Sequence, residues 1–222
     1  MEAKRMFDAS TARRLMVDGQ IRTADVTDAA LLDAMLAVPR EQFLPPALAQ
    51  LAYLDADIAI GKGRALLRPM TLAKLIQAAR IRAGELVLDI GCATGYSTAI
   101  LARLGASVVG LEEDADLATA AKTALAASSV ANAEIVIGPL SAGWAAAAPY
   151  DVILLNGAAE IVPETLGRQL KPEGRLVGVG GRPPAAKAMI YRVIEASLVG
   201  RPIFDAAAGL LPGFMAPPSF VF

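Results

Sequence analysis

The sequence predicts an α/β domain: a mostly parallel central sheet with helices on both faces, an antiparallel C-terminal strand pair and an N-terminal helical extension. Two observations carry that prediction. From Gly84 onward, short apolar runs alternate with stretches whose apolar residues recur at helical spacing, which implies right-handed crossovers between parallel strands. Near the end, Met189 to Ile194 and Phe220-Val221-Phe222 read as strands with no helix between them, which implies an antiparallel edge.

The elements follow in order. The first 80 residues read as helices and loops packed on the same domain, and residues 81–222 as the sheet domain. Thr27 is placed to cap a helix whose face is Ala30, Leu31, Ala34, Met35 and Val38, and Pro39 ends it. Pro45-Pro46 opens the next element, and Leu54 to Leu67 reads as a loop containing Gly61 and Gly63. Pro69 suits a first helical position, followed by the stripe Leu72, Leu75, Ile76 and Ala79. Strands are expected at Leu86–Leu88, Val108–Leu111, Glu134–Ile137, Val152–Leu155 and Arg175–Val179, with helices after Gly95, from Ala115 to about Ala126, and from Pro163-Glu164.

Composition narrows the function. With 222 residues, 55% of them hydrophobic and 19% charged, the chain has material for a sizeable core. Its mean hydropathy of +0.48 is high. Yet no apolar stretch approaches the ~20 residues of a spanning helix, so no membrane association is expected. The start, Met1 to Phe7, lacks the apolar core of a signal peptide, and one cysteine cannot form an internal disulfide, so a cytoplasmic location is expected. Lysine plus arginine number 21 against 22 acidic residues, with neither the excess nor the stripe of a nucleic-acid binder. There is no histidine, which removes the commonest general base and most zinc sites, so no metal is expected.

The most informative segment is Leu88-Asp89-Ile90-Gly91-Cys92-Ala93-Thr94-Gly95-Tyr96. It joins a strand to a helix through a turn of small residues, and the acidic Glu112 follows at the end of the next strand. This is the arrangement of a nucleoside site, with Glu112 placed for ribose hydroxyls. Ala93 replaces one glycine of a dinucleotide fingerprint, and Asp89 before the turn would repel a diphosphate. A cofactor carrying an ammonium or sulfonium is favoured instead, and S-adenosylmethionine has both and no phosphate. No Gly-Lys-Ser/Thr element supports a nucleoside triphosphate.

Further segments extend this. Met16-Val17-Asp18-Gly19-Gln20-Ile21, Leu32-Asp33-Ala34-Met35, Val38-Pro39-Arg40-Glu41-Gln42-Phe43, Ala52-Tyr53-Leu54-Asp55, Ile60-Gly61-Lys62-Gly63 and Leu170-Lys171-Pro172-Glu173-Gly174-Arg175-Leu176 occur in that order around the cofactor turn. Together they resemble the protein-L-isoaspartate O-methyltransferase family, from about Met16 to Gly180. The resemblance implies a Rossmann-like class I methyltransferase fold. It also implies methyl transfer from S-adenosylmethionine to the α-carboxylate of isoaspartyl residues in proteins or peptides, the first step of their repair. The chemistry suits a chain without histidine, because a carboxylate is already ionised near neutral pH.

The turn and the resemblance place cofactor contacts at Asp89, Gly91, Cys92, Ala93, Gly95, Tyr96, Glu112, Glu113, Gly138, Pro139, Leu140 and Asn156, and substrate-facing positions at Leu67, Asn156 and, for its place beside Leu67, Arg68. Two segments depart from it. The family carries a serine where Leu67 stands, beside the substrate carboxylate, and a Gly-Asp-Gly segment where Gly138-Pro139-Leu140 stands, with Gly143-Trp144 still matching. A leucine cannot donate a hydrogen bond. Arg68, beside Leu67, reads as a surface arginine, with bidentate hydrogen bonds to a carboxylate as the alternative. A diverged member with another acceptor, and a non-catalytic cofactor-binding protein, are the alternatives. The tail from Leu211 is expected either to cover the substrate cleft or to form a buried edge strand.

Overall fold

The computed structural model describes residues 8–217. Helix α1 (Ala9–Met16) starts at Asp8, whose carboxylate accepts from the backbone N–H groups of Ser10 and Thr11. It runs into a π-helical turn over Val17–Ile21 and then a short 3₁₀ turn, Arg22–Ala24. Helix α2 (Ala29–Ala37) is capped by Asp28, which accepts from the Leu31 N–H at 3.1 Å, and not by the expected Thr27. Gln77 explains the difference: its side-chain oxygen accepts the Thr27 and Asp28 N–H groups, fixing the chain one residue before the helix. Val38, held extended before Pro39, ends α2.

The stretch expected as a loop from Leu54 to Leu67 contains a hairpin. Strands β1 (Ile58–Gly61) and β2 (Arg64–Leu66) pair antiparallel around Lys62 and Gly63, both at positive φ. The two-residue turn hides the strands from a periodicity argument because each is only three or four residues long. Helix α3 (Pro69–Ala79) begins with Pro69 in its first turn, and Leu72, Leu75, Ile76 and Ala79 are all buried.

The sheet is built from β3 (Leu86–Ile90), β4 (Ser107–Glu112), β5 (Ala133–Ile137), β6 (Tyr150–Ala159), β7 (Leu170–Gly180), β8 (Lys187–Ile194) and β9 (Ser197–Asp205). Helices α4 (Tyr96–Arg103), α5 (Ala115–Ala127) and α6 (Glu164–Gly167) connect them. The spatial order is β5-β4-β3-β6-β7-β8-β9, with β5 to β7 parallel and β8 antiparallel to both its neighbours. The antiparallel pair is therefore β8 with β9. The expected second strand, Phe220–Phe222, lies outside the described residues.

Strand alternation sorts the core onto two faces. Val87, Val108, Val152, Leu154 and Val177 join α3, α4 and the N-terminal helices in one apolar cluster. Leu88, Ile90, Val109, Leu111, Ile153, Leu155 and Leu176 point the other way, against Leu140, Leu166, Leu211 and Phe214. A parallel sheet covered on both faces needs such continuous apolar runs. Met16, Ile21, Leu31, Met35 and Phe43 share the first cluster, so the N-terminal helices and the sheet have one core. Among the described residues no helix is long and apolar enough to cross a membrane.

The order of strands also places the site. The chain leaves β3 toward β4 on one side, while β6 lies on the other, so strand order reverses beside the C-terminal end of β3. That is where ligands settle in open α/β sheets.

Candidate active site

Strand β3 ends in Asp89-Ile90 and turns sharply through Gly91 to Gly95 into α4. The Gly91 and Cys92 N–H groups both donate to Leu111 O, at 2.8 and 3.2 Å, which ties the turn to β4. Gly91 and Gly95 have φ of +73° and +90°, and Ala93 is also left-handed at +52°. Left-handed backbone costs a residue with a Cβ roughly 1–2 kcal/mol. Glu112 offsets that cost, since its Oε2 accepts the Ala93 N–H at 2.8 Å. Its Oε1 accepts from the N–H groups of Glu113 and Asp114, at 3.0 and 3.3 Å. Glu112 itself is fully buried, whereas Glu113 faces solvent.

Asp89 is fully buried behind the turn. Ser97 and Thr98, in the first turn of α4, donate to its Oδ2 at 2.7 and 2.6 Å, and the Asn156 amide donates to its Oδ1. Burial raises its pKa to about 6, and Glu112 adds to the rise, while the hydrogen bonds from Thr98, Ser97 and Asn156 hold it down. Asn156 also donates to Ser97 Oγ at 2.8 Å, so the ends of β3, α4 and β6 meet in one network. Cys92 is buried, and burial pushes its thiol pKa well up, which leaves an inert thiol.

Arg64 of β2 closes over this turn. Its Nη2 donates to Gly91 O at 2.7 Å and to Glu112 Oε2 at 3.2 Å. A Cβ on Gly91 would stand 2.6 Å from that nitrogen, so only glycine allows the approach. At the hairpin tip, Lys62 pairs with Asp114 and Asp116 at the start of α5. From the other side comes the C-terminal segment. Leu211 donates its N–H to Ala158 O, and Ala158 donates to Gly209 O, so the segment adds a short parallel bridge to the end of β6. The Leu211 side chain comes within 3.0 Å of a Cβ placed on Gly91. Phe214 is fully buried, with its carbonyl accepting from Glu160 and Ile161. The tail thus packs over the sheet's end.

The opening that remains is lined by Leu67, Leu72, Gly91, Ala93, Tyr96 and Asn156, among others, and by Arg40. Its enclosed volume is about 10 Å³, room for roughly one water molecule. An ordinary small-molecule site begins at roughly 300 Å³. With Arg64 and Leu211 both resting on Gly91, the cleft is closed down. Chemically it suits a cationic nucleoside: Gly91 O and the Glu112 carboxylate converge on one position and accept from a cation there, the Arg64 guanidinium. The residues fit S-adenosylmethionine in charge, and room for it requires that Arg64 and Leu211 move off Gly91.

The structure gathers most of the residues singled out from the sequence around this turn and leaves some apart. Gly91, Cys92, Ala93, Tyr96, Leu67 and Asn156 line one opening, with Asp89 and Glu112 directly behind it. Gly138 donates its N–H to Glu112 O at 3.1 Å and lies against the Trp144 ring; Pro139 is exposed and Leu140 fully buried. Arg68 stands elsewhere. Its side chain is 38% exposed, its Nε is 4.0 Å from Asp57 Oδ1, and it does not line the opening. Consecutive residues leaving a strand point to opposite sides, so Leu67 turns in and Arg68 turns out. Arg68→Ala is expected to change the acceptor KM less than two-fold, an exposed pair at this distance contributing about 0–1 kcal/mol; steady-state kinetics checks it.

Sequence reasoning missed Arg64 and the roles of Ser97 and Thr98. The pattern Arg64-Ala65-Leu66 is buried, half-buried, buried, so an arginine shares the inward face of a strand with Leu66. That alternation was the available signal, and reading the segment as a loop concealed it. Ser97 and Thr98 lie eight and nine residues after Asp89, and only the tight turn between them brings the hydroxyls back to the carboxylate.

Comparison with known proteins identifies the family and the fold. The sequence profile of the protein-L-isoaspartate(D-aspartate) O-methyltransferase family matches residues 11–190. A protein-L-isoaspartate O-methyltransferase of Methylorubrum extorquens is 44% identical over 183 residues, covering 82% of this chain and 79% of the relative. Two solved structures share the fold. One, a protein-L-isoaspartate O-methyltransferase, has a TM-score of 0.78 at 24% identity over 93% of this chain, which spans 66% of that longer chain. The other, a Plasmodium falciparum protein assigned to the same activity and solved with S-adenosyl-L-homocysteine, has a TM-score of 0.75 at 18% identity, covering 88% and 96% of the two chains. The chain belongs to the protein-L-isoaspartate(D-aspartate) O-methyltransferase family.

Proposed function

We propose that this protein is an S-adenosylmethionine-dependent methyltransferase that esterifies the α-carboxylate of isoaspartyl residues in proteins or peptides. The observation that carries the reading is the convergence of Gly91 O and Glu112 on one hydrogen-bond-accepting position at the end of β3. Glu112 would take the ribose hydroxyls there, and Asp89 would set a negative charge behind the cofactor's cationic end. Gly91, Cys92, Ala93, Gly95 and Tyr96 would shape the cradle. Gly138, Pro139 and Leu140, beside Trp144, would border the adenine, with Glu113 at the rim. When bound, the cofactor supplies a methyl carbon on a sulfonium.

The rest falls to the chain's own residues. The acceptor carboxylate is ionised near neutral pH and needs no base to become a nucleophile. What the protein contributes is alignment and exclusion of water, worth up to about 7–11 kcal/mol when two reactants are held in a reactive geometry. Leu67 and Leu72 give the opening an apolar side, and Leu211 covers Gly91 beside it, which would help keep water from competing for the methyl group. Residues 1–80 supply the hairpin and Leu67, and we place them as the acceptor-side cap of the sheet domain, residues 81–222.

A second reading, a family member that methylates a different carboxylate, is favoured by one observation: Leu67 is 4% exposed and lines the opening where the family resemblance places a serine. Transfer of labelled methyl to a peptide containing isoaspartate, against its aspartyl isomer, decides between them. Selective labelling of the isoaspartyl peptide is the expected result. Equal or absent labelling of the pair by folded, cofactor-binding protein would overturn the isoaspartyl assignment.

A further inference from the structure

Arg40 is a charged side chain with no exposed surface. It sits in the Val-Pro-Arg-Glu segment, at the start of a short 3₁₀ turn (Arg40–Phe43). Its Nε donates to Ala52 O at 2.8 Å and its Nη2 to Leu67 O at 2.7 Å. Its guanidinium carbon lies 4.7 Å from the centroid of the Tyr96 ring. Its Nη1 and the buried Tyr96 hydroxyl make no hydrogen bond of good geometry, although the two groups act on each other electrostatically. Among the described residues no carboxylate lies within ion-pair distance of it.

A guanidinium cannot shed its proton in a protein, so Arg40 carries its charge into the interior without a directly paired carboxylate, Asp57 acting on it only from a distance. Two carbonyls and an aromatic face stabilise it in part. The unpaired N–H groups belong to a residue that lines the same opening as Leu67, Tyr96 and Asn156. An under-paired cation thus borders an opening that must widen, as Arg64 and Leu211 withdraw from Gly91, before it admits an anion. Among the described residues lining that opening Arg40 is the cation, while Asp89 and Glu112 stand behind it, so a singly charged anion fits better than a phosphate dianion.

We propose that Arg40 is the carboxylate-binding residue of this pocket, its Nη1 donating to a ligand carboxylate that Leu67 cannot solvate. Where the ligand is the acceptor, this rests on the carboxylate-methylation reading above. The carboxylate has two sources: the acceptor, and the amino-acid end of the cofactor. In either case Arg40 takes the place that the sequence suggested for Arg68, and its backbone tie to Leu67 O couples the anion site to the residue that replaces the family's serine.

Arginine side-chain NMR on the whole protein tests this without relying on turnover. The Arg40 Nε–Hε signal is assigned by its loss in Arg40→Lys or, if that variant does not fold, by its proximity to the Tyr96 ring. S-adenosylhomocysteine is added first, then isoaspartyl peptide or the same peptide with its α-carboxylate as a carboxamide. A shift of the Arg40 signal with S-adenosylhomocysteine alone supports the proposal with the cofactor as the source. A shift only with the carboxylate peptide, which should bind at least ten-fold more tightly than the carboxamide, supports it with the acceptor as the source. If both ligands bind by calorimetry and the Arg40 signal stays in place, the proposal is overturned. If neither binds, the methyltransferase reading fails, and acetate against chloride at equal ionic strength then decides for Arg40. A shift specific to acetate supports the anion site, and none overturns it.

Discussion

Glu112→Gln is expected to weaken S-adenosylhomocysteine binding by about 10–100-fold, the range of a lost hydrogen bond to a charged group. It should also destabilise the protein by about 3 kcal/mol. The second effect comes from Arg64, whose side chain is 4% exposed and whose ion pair with Glu112 is made inside the fold. Removing one partner of such a pair leaves the other charge buried and uncompensated, which costs roughly 3–5 kcal/mol. The two effects separate in a second variant. Glu112→Gln combined with Arg64→Leu removes both charges, so it should recover most of the stability and none of the cofactor affinity. Arg64→Leu alone is expected to tighten cofactor binding several-fold, since Arg64 holds the position on Gly91 O and Glu112 that the cofactor needs. Urea melts and calorimetric titration of the three variants check these expectations. Equal affinities in wild-type and Glu112→Gln protein would remove Glu112 from the cofactor site.

Asp89 gives the second large effect, and its sign follows from its environment. Its pKa rises from 3.8 to about 6 on folding, chiefly through burial. Between those values the folded protein binds a proton that the unfolded chain has lost. The stability that the protonated group contributes is therefore full below about pH 4 and is lost as pH rises through 6, about 3 kcal/mol in all. Asp89→Asn has no such titration. The stability difference between wild type and Asp89→Asn should fall by that amount from pH 4 to pH 7 in favour of the variant. Cofactor binding should run the opposite way, because a cation favours the ionised carboxylate. Its Kd should decrease up to ten-fold per pH unit as pH rises toward 6, then level off. The chain contains no histidine, so an inflection near pH 6 points to this carboxyl. A flat profile from pH 5 to pH 8 would contradict the placement of Asp89 behind the cofactor.

Why some of this was legible in the sequence and some was not has physical reasons. The parallel strands were legible because both sheet faces are covered, so Leu86–Leu88 and Val152–Leu155 are continuous apolar runs. The turn from Asp89 to Tyr96 was legible because its backbone demands small residues at fixed spacing, with Gly91 and Gly95 at positive φ. The hairpin was not, since two strands of three or four residues carry too few alternations to register. Thr27 and Asp28 are both good caps, and only Gln77, fifty residues away, chooses between them. The edge strand β9 was missed because Ser197–Asp205 contains Gly200 and Pro202 and lies mostly exposed, so its sequence has no buried face to reveal. In the candidate site, Leu67 and Asn156 came from their places in motifs and do border the opening. Arg68 was named for its neighbour, and the strand's alternation turns it toward Asp57 instead. Arg64 was concealed with its hairpin, and Arg40 depends on burial and on an under-paired nitrogen, which only the packed fold discloses.

The central claim is that a carboxylate receives the methyl group, and the alkali lability of the product tests it most directly. Protein loaded with methyl-labelled S-adenosylmethionine and an isoaspartyl peptide is stopped in acid, and the product is then held at mildly alkaline pH. A carboxyl methyl ester hydrolyses there and releases its label as volatile methanol, whereas a methyl group on nitrogen or sulfur stays bound. The account predicts that nearly all transferred label becomes volatile. Label that remains on the peptide after alkaline treatment, or no transfer from protein shown to bind the cofactor, would contradict it.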